Sequence, residues 1–159
     1  MTRTAYLGLG ANLGDREASL RKAIEALNSD KLRVVRESPV YETAPQEVTN
    51  QPWFLNQVIE VETALFPLQL LRRARKVEES MGRRRTVAKG PRTIDIDILF
   101  IGNKVISTPM LTVPHPAAHE RRFVLAPLAN LAPGLVHPVL KQSVRELLAR
   151  IEGQAVKRR

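Results

Sequence analysis

Residues 94–98 alternate isoleucine with aspartate: Ile94, Asp95, Ile96, Asp97, Ile98. On a strand, successive side chains leave opposite faces, so this spacing sends both carboxylates to one face and the three isoleucines to the other. A strand of this kind, predicted over Thr93 to Ile101, belongs in a sheet that is packed on one side and open on the other. The rest of the chain has to supply that packing.

Alternating strand and helix patterns meet the requirement. Residues 4–9 read as a short buried strand, and residues 10–15 as a turn ending on a helix cap. Leu20, Ala23, Ile24 and Leu27 fall at i, i+3, i+4 and i+7, the stripe of an amphipathic helix over 16–28. Residues 32–41 and 54–63 carry the β-branched and aromatic residues of two further strands, separated by a polar loop long enough to be functional. Pro67 opens a second helix whose core face is Leu70, Ala74, Val77 and Met81, and Gly82 ends it. Gly102-Asn103 turns the aspartate strand into Lys104 to Ser107. Ser143 and Glu146 form a capping box for a last helix that buries Val144, Leu147, Leu148 and Ile151. The order βαββαββ plus a C-terminal helix predicts an α+β sandwich, with a mainly antiparallel sheet, helices on one face and the other face left for ligands.

With 159 residues, 43% of them hydrophobic and 26% charged, the chain is expected to form one domain over 1–159 around a single core. It has no cysteine, so disulfides and thiolate metal sites are excluded. The N-terminal residues lack a signal-peptide apolar region, and no stretch approaches the roughly 20 apolar residues of a membrane span, which predicts a cytoplasmic protein. A formal charge of +9 asks for an anionic partner: nucleic acid, acidic lipid or a phosphorylated small molecule.

The position of the charges chooses among these. Asp95 and Asp97 present hard oxygen ligands side by side, the donor set that Mg²⁺ takes together with substrate phosphates. A bare Asp-x-Asp is more often a solvated strand face, but here Arg83, Arg84, Arg85, Lys89 and Arg92 precede it, and Arg121 and Arg122 follow. Guanidinium forks grip phosphate oxygens bidentately and stay charged, so acids and arginines together point to phosphate handling. His115, between two prolines, would donate to a phosphate oxygen, since no second histidine is spaced to join it on a metal. Phe54 and Asn56 project to one face of their strand, a ring and an amide suited to a flat, hydrogen-bonding heterocycle.

Taken in order, Leu7-Gly8-Leu9-Gly10-Ala11-Asn12-Leu13-Gly14, Tyr41-Glu42-Thr43, Phe54-Leu55-Asn56, Gly90-Pro91-Arg92-Thr93-Ile94-Asp95-Ile96-Asp97-Ile98, Leu111-Thr112-Val113-Pro114-His115 and Arg121-Arg122-Phe123 resemble the 6-hydroxymethyl-7,8-dihydropterin pyrophosphokinase family. The resemblance implies a ferredoxin-like fold and transfer of pyrophosphate from ATP to the pterin, in folate synthesis. It further implies that Asp95 and Asp97 hold two Mg²⁺ ions and that Arg83 and Arg92 join them in catalysis. Nucleotide contacts would come from Arg75, Glu78, Arg83, Arg85, Arg92, Ile98, Leu111, Thr112, His115 and Arg121. Thr43, Pro45, Phe54, Asn56, Asp95 and Phe123 would form the pterin pocket, with Phe54 and Phe123 on the two faces of the ring. Asp97 is also a candidate to take the hydroxyl proton, although a metal-bound carboxylate is a weak base. Residues 42–52 and 83–92 are the expected lids.

Some positions depart from the family pattern. Lys89 stands where many relatives carry an aromatic, Met110 where some carry a basic residue, Pro116 where some carry a tyrosine, and Arg75 where a polar neutral residue is more usual. A monomer with no nucleic-acid or membrane partner is expected. The nucleic-acid reading of the positive charge is opposed by an aromatic content of 4% and by two aspartates that would repel a phosphate backbone. A metal-dependent phosphohydrolase would share the acids and arginines, and would release phosphate without an acceptor.

Overall fold

The computed structural model describes residues 1–44, 50–82, 93–154 and 156–159. Its first strand, β1 (Arg3–Ala11), leads into helix α1 (Arg16–Leu27), where the Asp15 carboxylate accepts the Ala18 N–H at 3.1 Å as N-cap. The next strand is split. β2 (Leu32–Glu37) and β3 (Tyr41–Thr43) flank Pro39, which has no N–H for a ladder, and the Ser38 hydroxyl accepts the Val58 N–H at 2.9 Å where the pairing breaks. The strand predicted over 32–41 is therefore two strands.

β4 (Phe54–Thr63) and helix α2 (Pro67–Ser80) follow as expected, with Pro67 at the first helical position and Gly82 at φ +83° just beyond the end. β5 (Asp95–Ile101) completes the central strands. Beyond it, β6 (Ile106–Ser107) pairs with β7 (Thr112–Val113) in a separate ribbon. α3 (Arg122–Leu131), α4 (Val144–Ala149) and β8 (Val156–Arg158) end the chain. The Ser143–Glu146 capping box is present, with the two reciprocal bonds at 2.9 and 3.1 Å.

The main sheet runs β5-β1-β4-β3-β8, with β2 also on β4, and all its pairs are antiparallel. The antiparallel sheet, with β1 inside it and β5 at one edge, agrees with the ferredoxin-like fold that the family resemblance implies. One apolar cluster joins Leu7, Leu9, Leu55, Ile59, Ile96 and Ile98 to α1 and α2. A second joins Tyr6, Val58, Leu99 and Phe100 on the opposite face to α3 and α4. The sheet thus divides the expected single core in two, and the helices expected on one face are α1 and α2, while α3 and α4 cover part of the other.

A bulge sets the limit of that cover. Tyr6 pairs with Phe100 and Leu7 with Ile98, so Leu99 has no partner on β1, and Leu99 and Phe100 both turn toward α3 and α4. Beyond the bulge, the second face carries Asp97, Asp95, Gly8 and Gly10 on β5 and β1 and Asn56 and Phe54 on β4. Among the described residues no helix is long and apolar enough to cross a membrane.

Candidate active site

The register of the sheet lines up the predicted residues. Tyr41 pairs with Asn56, Asn56 with Gly10, and Gly10 with Asp95, so one row crosses β3, β4, β1 and β5. In the next rows Thr43 pairs with Phe54, and Val58 and Asp97 both pair with Gly8. Residues paired across neighbouring strands share a face. Asp95 and Asp97 therefore lie on the same face as Phe54 and Asn56, two strands away, or about 10 Å at the usual strand spacing, and as Thr43 one strand further. The glycines of β1 lie between them.

At the β4 end, the Asn56 amide donates to the Thr43 hydroxyl at 2.5 Å. Thr43 and Asn56 are 2% and 8% exposed, so this pair is fixed inside the sheet surface, with Phe54 half-buried beside it. Asn12, buried at the end of β1, donates to the Gln51 side chain at 2.8 Å and to the Pro52 carbonyl at 3.0 Å. Arg16 donates to Glu42 at 3.1 Å and to the Trp53 carbonyl at 3.0 Å. These bonds anchor the chain on both sides of the 42–52 loop.

At the β5 end, Glu78 reaches from α2 to the strand. It is 1% exposed; one oxygen accepts the Ile96 N–H at 2.8 Å, and the other accepts from Arg75 at 3.0 Å. Arg75 also donates to the Ile96 carbonyl at 3.2 Å. β5 is a sheet edge, and the two side chains satisfy the backbone groups of the residue between Asp95 and Asp97. The sequence reading placed Arg75 and Glu78 beside the nucleotide; in this structure their bonds to each other and to Ile96 hold β5 in place.

Burial pushes the Asp97 carboxyl up to about 7, and the Asp95 charge beside it adds to the rise. The guanidinium groups of Arg121 and Arg75 pull the other way, and Glu78 adds a smaller upward push. A folded value above the unfolded one means that protonation favours the fold. That stability is complete below about pH 4 and is lost as pH rises through 7. In metal-free protein, Asp97→Asn should therefore be more stable than wild type by about 2 kcal/mol at pH 8, the gap narrowing below pH 7 and closing only near pH 4. Thermal melts in chelator measure this, and equal melting temperatures at pH 8 would contradict it. His137, held low by burial, shifts both proteins alike below pH 6.5 and cancels in the comparison.

The other predicted residues gather around the same end. Arg121 caps α3, with its guanidinium 5.5 Å from the centre of the Phe123 ring. The His115 Nδ1 accepts the Ala117 N–H at 3.1 Å, which puts the ring proton on Nε2, and its backbone N–H donates to the Leu99 carbonyl at 3.0 Å. Ile98 and Leu111 are buried and Thr112 is exposed. Pro45, Arg83, Arg85 and Arg92, with Arg84 and Lys89, lie outside the described residues. Gly10, Asn12 and Tyr41, whose hydroxyl bonds Asn130 on α3, carry parts of the site that the sequence reading gave no role. Gly10 and Asn12 stand in the Gly-x-Asn-x-Gly motif, and that was their signal.

A family profile described as 7,8-dihydro-6-hydroxymethylpterin-pyrophosphokinase (HPPK) matches residues 6–133. A 2-amino-4-hydroxy-6-hydroxymethyldihydropteridine pyrophosphokinase of Methylorubrum extorquens is 43% identical over 159 residues, covering 99% of both chains. The folic acid synthesis protein fol1 of Schizosaccharomyces pombe is 41% identical over 98% of this chain, which spans only 21% of that longer protein's length. The crystal structure of Plasmodium falciparum HPPK-DHPS with pteroate superposes on 94% of this chain and 42% of its own, with a TM-score of 0.76 at 19% identity, a likeness of fold. On the profile match and the full-length relative together, the chain belongs to the 7,8-dihydro-6-hydroxymethylpterin-pyrophosphokinase family.

Proposed function

We propose that the protein transfers the terminal diphosphate of ATP to the hydroxymethyl group of 6-hydroxymethyl-7,8-dihydropterin, giving AMP and the pterin diphosphate in folate synthesis. The observation that carries this reading is the open face of the sheet. It holds a carboxylate pair two strands from an amide and an aromatic ring, with side-chain-free backbone between, and a hydroxyl one strand further.

The donor set fits Mg²⁺. Asp95 and Asp97 stand at neighbouring positions of one face, where burial and the Asp95 charge oppose the ionisation of Asp97, and a hard divalent cation would remove that conflict. Among the described residues no three His, Cys, Asp or Glu side chains gather into a metal site, so phosphate oxygens and water would complete the shell. Asp95 and Asp97 would hold two such ions, which would supply neutralisation of the charge that develops in transfer.

The chain's own residues then position the reactants. Arg121 and His115 would face the phosphates, joined by Arg83, Arg85 and Arg92. Ile98, Leu111 and Thr112 would border the adenine. Asn56 and Thr43 would read the polar edge of the pterin between Phe54 and Phe123, with Pro45 closing the pocket. The acceptor oxygen bonds to the β-phosphorus as the bond from that phosphorus to the α,β-bridging oxygen breaks, and AMP leaves with the electron pair. The hydroxyl proton goes to a base, for which Asp97 is the candidate. A site built from one chain's sheet needs no second copy, so we take the protein to act as a monomer, and a chain without cysteine suits the cytoplasm.

Mixing protein, ATP, Mg²⁺ and the hydroxymethyl pterin should yield AMP, and omitting the pterin or adding chelator should stop it. ADP, or free phosphate formed without the pterin, would instead support a kinase or a phosphohydrolase on the same acids.

A further inference from the structure

Glycine inside a strand weakens it, because it loses more backbone freedom on folding and offers no side chain to pack. Gly14, Gly82, Gly102 and Gly153 sit at positive φ, where glycine is the natural residue; Gly10 does not. It lies within the regular pairing of the central strand, opposite Asn56 on one side and Asp95 on the other. Its backbone gives no reason for the missing side chain, so the reason must lie in the space above it.

That space holds the Asn56 amide. A Cβ on Gly10 would come 2.9 Å from the Asn56 Oδ1, closer than such atoms approach in folded proteins, and 3.8 Å from the Phe54 ring. At Gly8, two residues earlier on the same face, an added Cβ would meet Leu99 at 3.4 Å, an ordinary contact. The steric demand is therefore particular to Gly10. Asn56 could relieve the clash only by turning its carbonyl away from β1. The amide nitrogen turns with it, and the bond to the buried Thr43 hydroxyl is lost.

We propose that Gly10 is a positioning residue of the acceptor site. By carrying no side chain it lets the Asn56 amide lie flat across β1, with its donor turned to Thr43 and its carbonyl turned toward the metal side of the face. Acting through Asn56, it sets the polar edge that a flat heterocycle with adjacent donors and acceptors meets. The inference rests on the reading of Asn56 as an acceptor contact and adds to it a requirement at a residue that touches no substrate polar group.

The test is Gly10→Ala, with Gly134→Ala as a control, since an added Cβ at Gly134 meets nothing within 4 Å. Pterin KM in the AMP-forming assay should rise about ten- to a hundredfold in Gly10→Ala, the usual scale for a group misplaced by a fraction of an ångström to an ångström. ATP KM should stay near wild type, the melting temperature should fall by no more than the loss of one buried hydrogen bond accounts for, and Gly134→Ala should match wild type throughout. Because Gly10 acts through Asn56, the double variant Gly10→Ala/Asn56→Ala should be no worse than Asn56→Ala alone. Unchanged pterin KM in a folded Gly10→Ala, or additive losses in the double variant, would overturn the proposal. So would equal losses for ATP and pterin with a lowered melting temperature, which would make Gly10 structural. If wild type itself neither binds the pterin, followed by fluorescence, nor turns it over, the acceptor reading falls and this inference with it.

Discussion

Asp97→Ala should lower turnover by about a thousandfold or more while leaving the fold intact, because it removes one of the two adjacent carboxylates that the proposed mechanism relies on to hold the charge-neutralising metal. The expected signature is unusual for a loss-of-function change. Asp97 is held at a site that burial and Asp95 make unfavourable for its charge, so the variant should melt no lower than wild type at pH 8. Steady-state assays and thermal melts on the same preparation read both effects. Near-normal turnover would remove Asp97 from the site, and a loss of activity that tracked a loss of fold would leave the assignment without support.

Glu78→Ala should do the opposite to stability. The side chain is buried and accepts from both the Ile96 N–H and Arg75, so its removal leaves a strand N–H and a guanidinium without that acceptor inside the α2–β5 contact. Breaking a buried pair of this kind costs about 2–4 kcal/mol, at the lower end here because Arg75 is partly exposed. Since Ile96 lies between Asp95 and Asp97, the change should also raise the Mg²⁺ concentration needed for half-maximal rate, by about ten- to a hundredfold, as is usual for groups that orient metal ligands. Denaturant unfolding and Mg²⁺ titrations of the rate test the two parts. A destabilised variant with unchanged Mg²⁺ dependence would reduce Glu78 to a packing residue.

These two carboxylates show what periodicity can and cannot reveal. Asp97 was legible because a two-residue period fixes its face without knowledge of any partner. The stripes of α1 and α2, the Asp15 cap and the Ser143–Glu146 box were legible for the same reason: each is a local pattern with a local cause. Glu78 sits on a helix face that spacing identifies as buried, yet nothing in the spacing says that its partner is the backbone of Ile96. Gly10 was visible in a motif, but its steric role needs Asn56, which pairs with it only once β1 and β4 are in register.

Other elements were hidden by local signals that tertiary packing overrides. α3 contains Pro127 and has no side-chain cap, so its sequence argues against a helix, and it forms because Val124, Leu125 and Leu128 cover Val58 and Phe100. β8 is three residues long and exists by pairing with β3, which no short-range pattern announces. The break at Pro39 was written in the sequence as a proline inside an apparent strand.

The central claim is that the two terminal phosphates of ATP move together to the pterin across the open face of the sheet. The direct test supplies ATP labelled in the γ-phosphate, with Mg²⁺ and 6-hydroxymethyl-7,8-dihydropterin, and follows the label. The account predicts that all consumed label appears in a pterin bearing two phosphates, with AMP formed one for one. Label in free phosphate, or in a pterin bearing one phosphate with ADP as the other product, would contradict it.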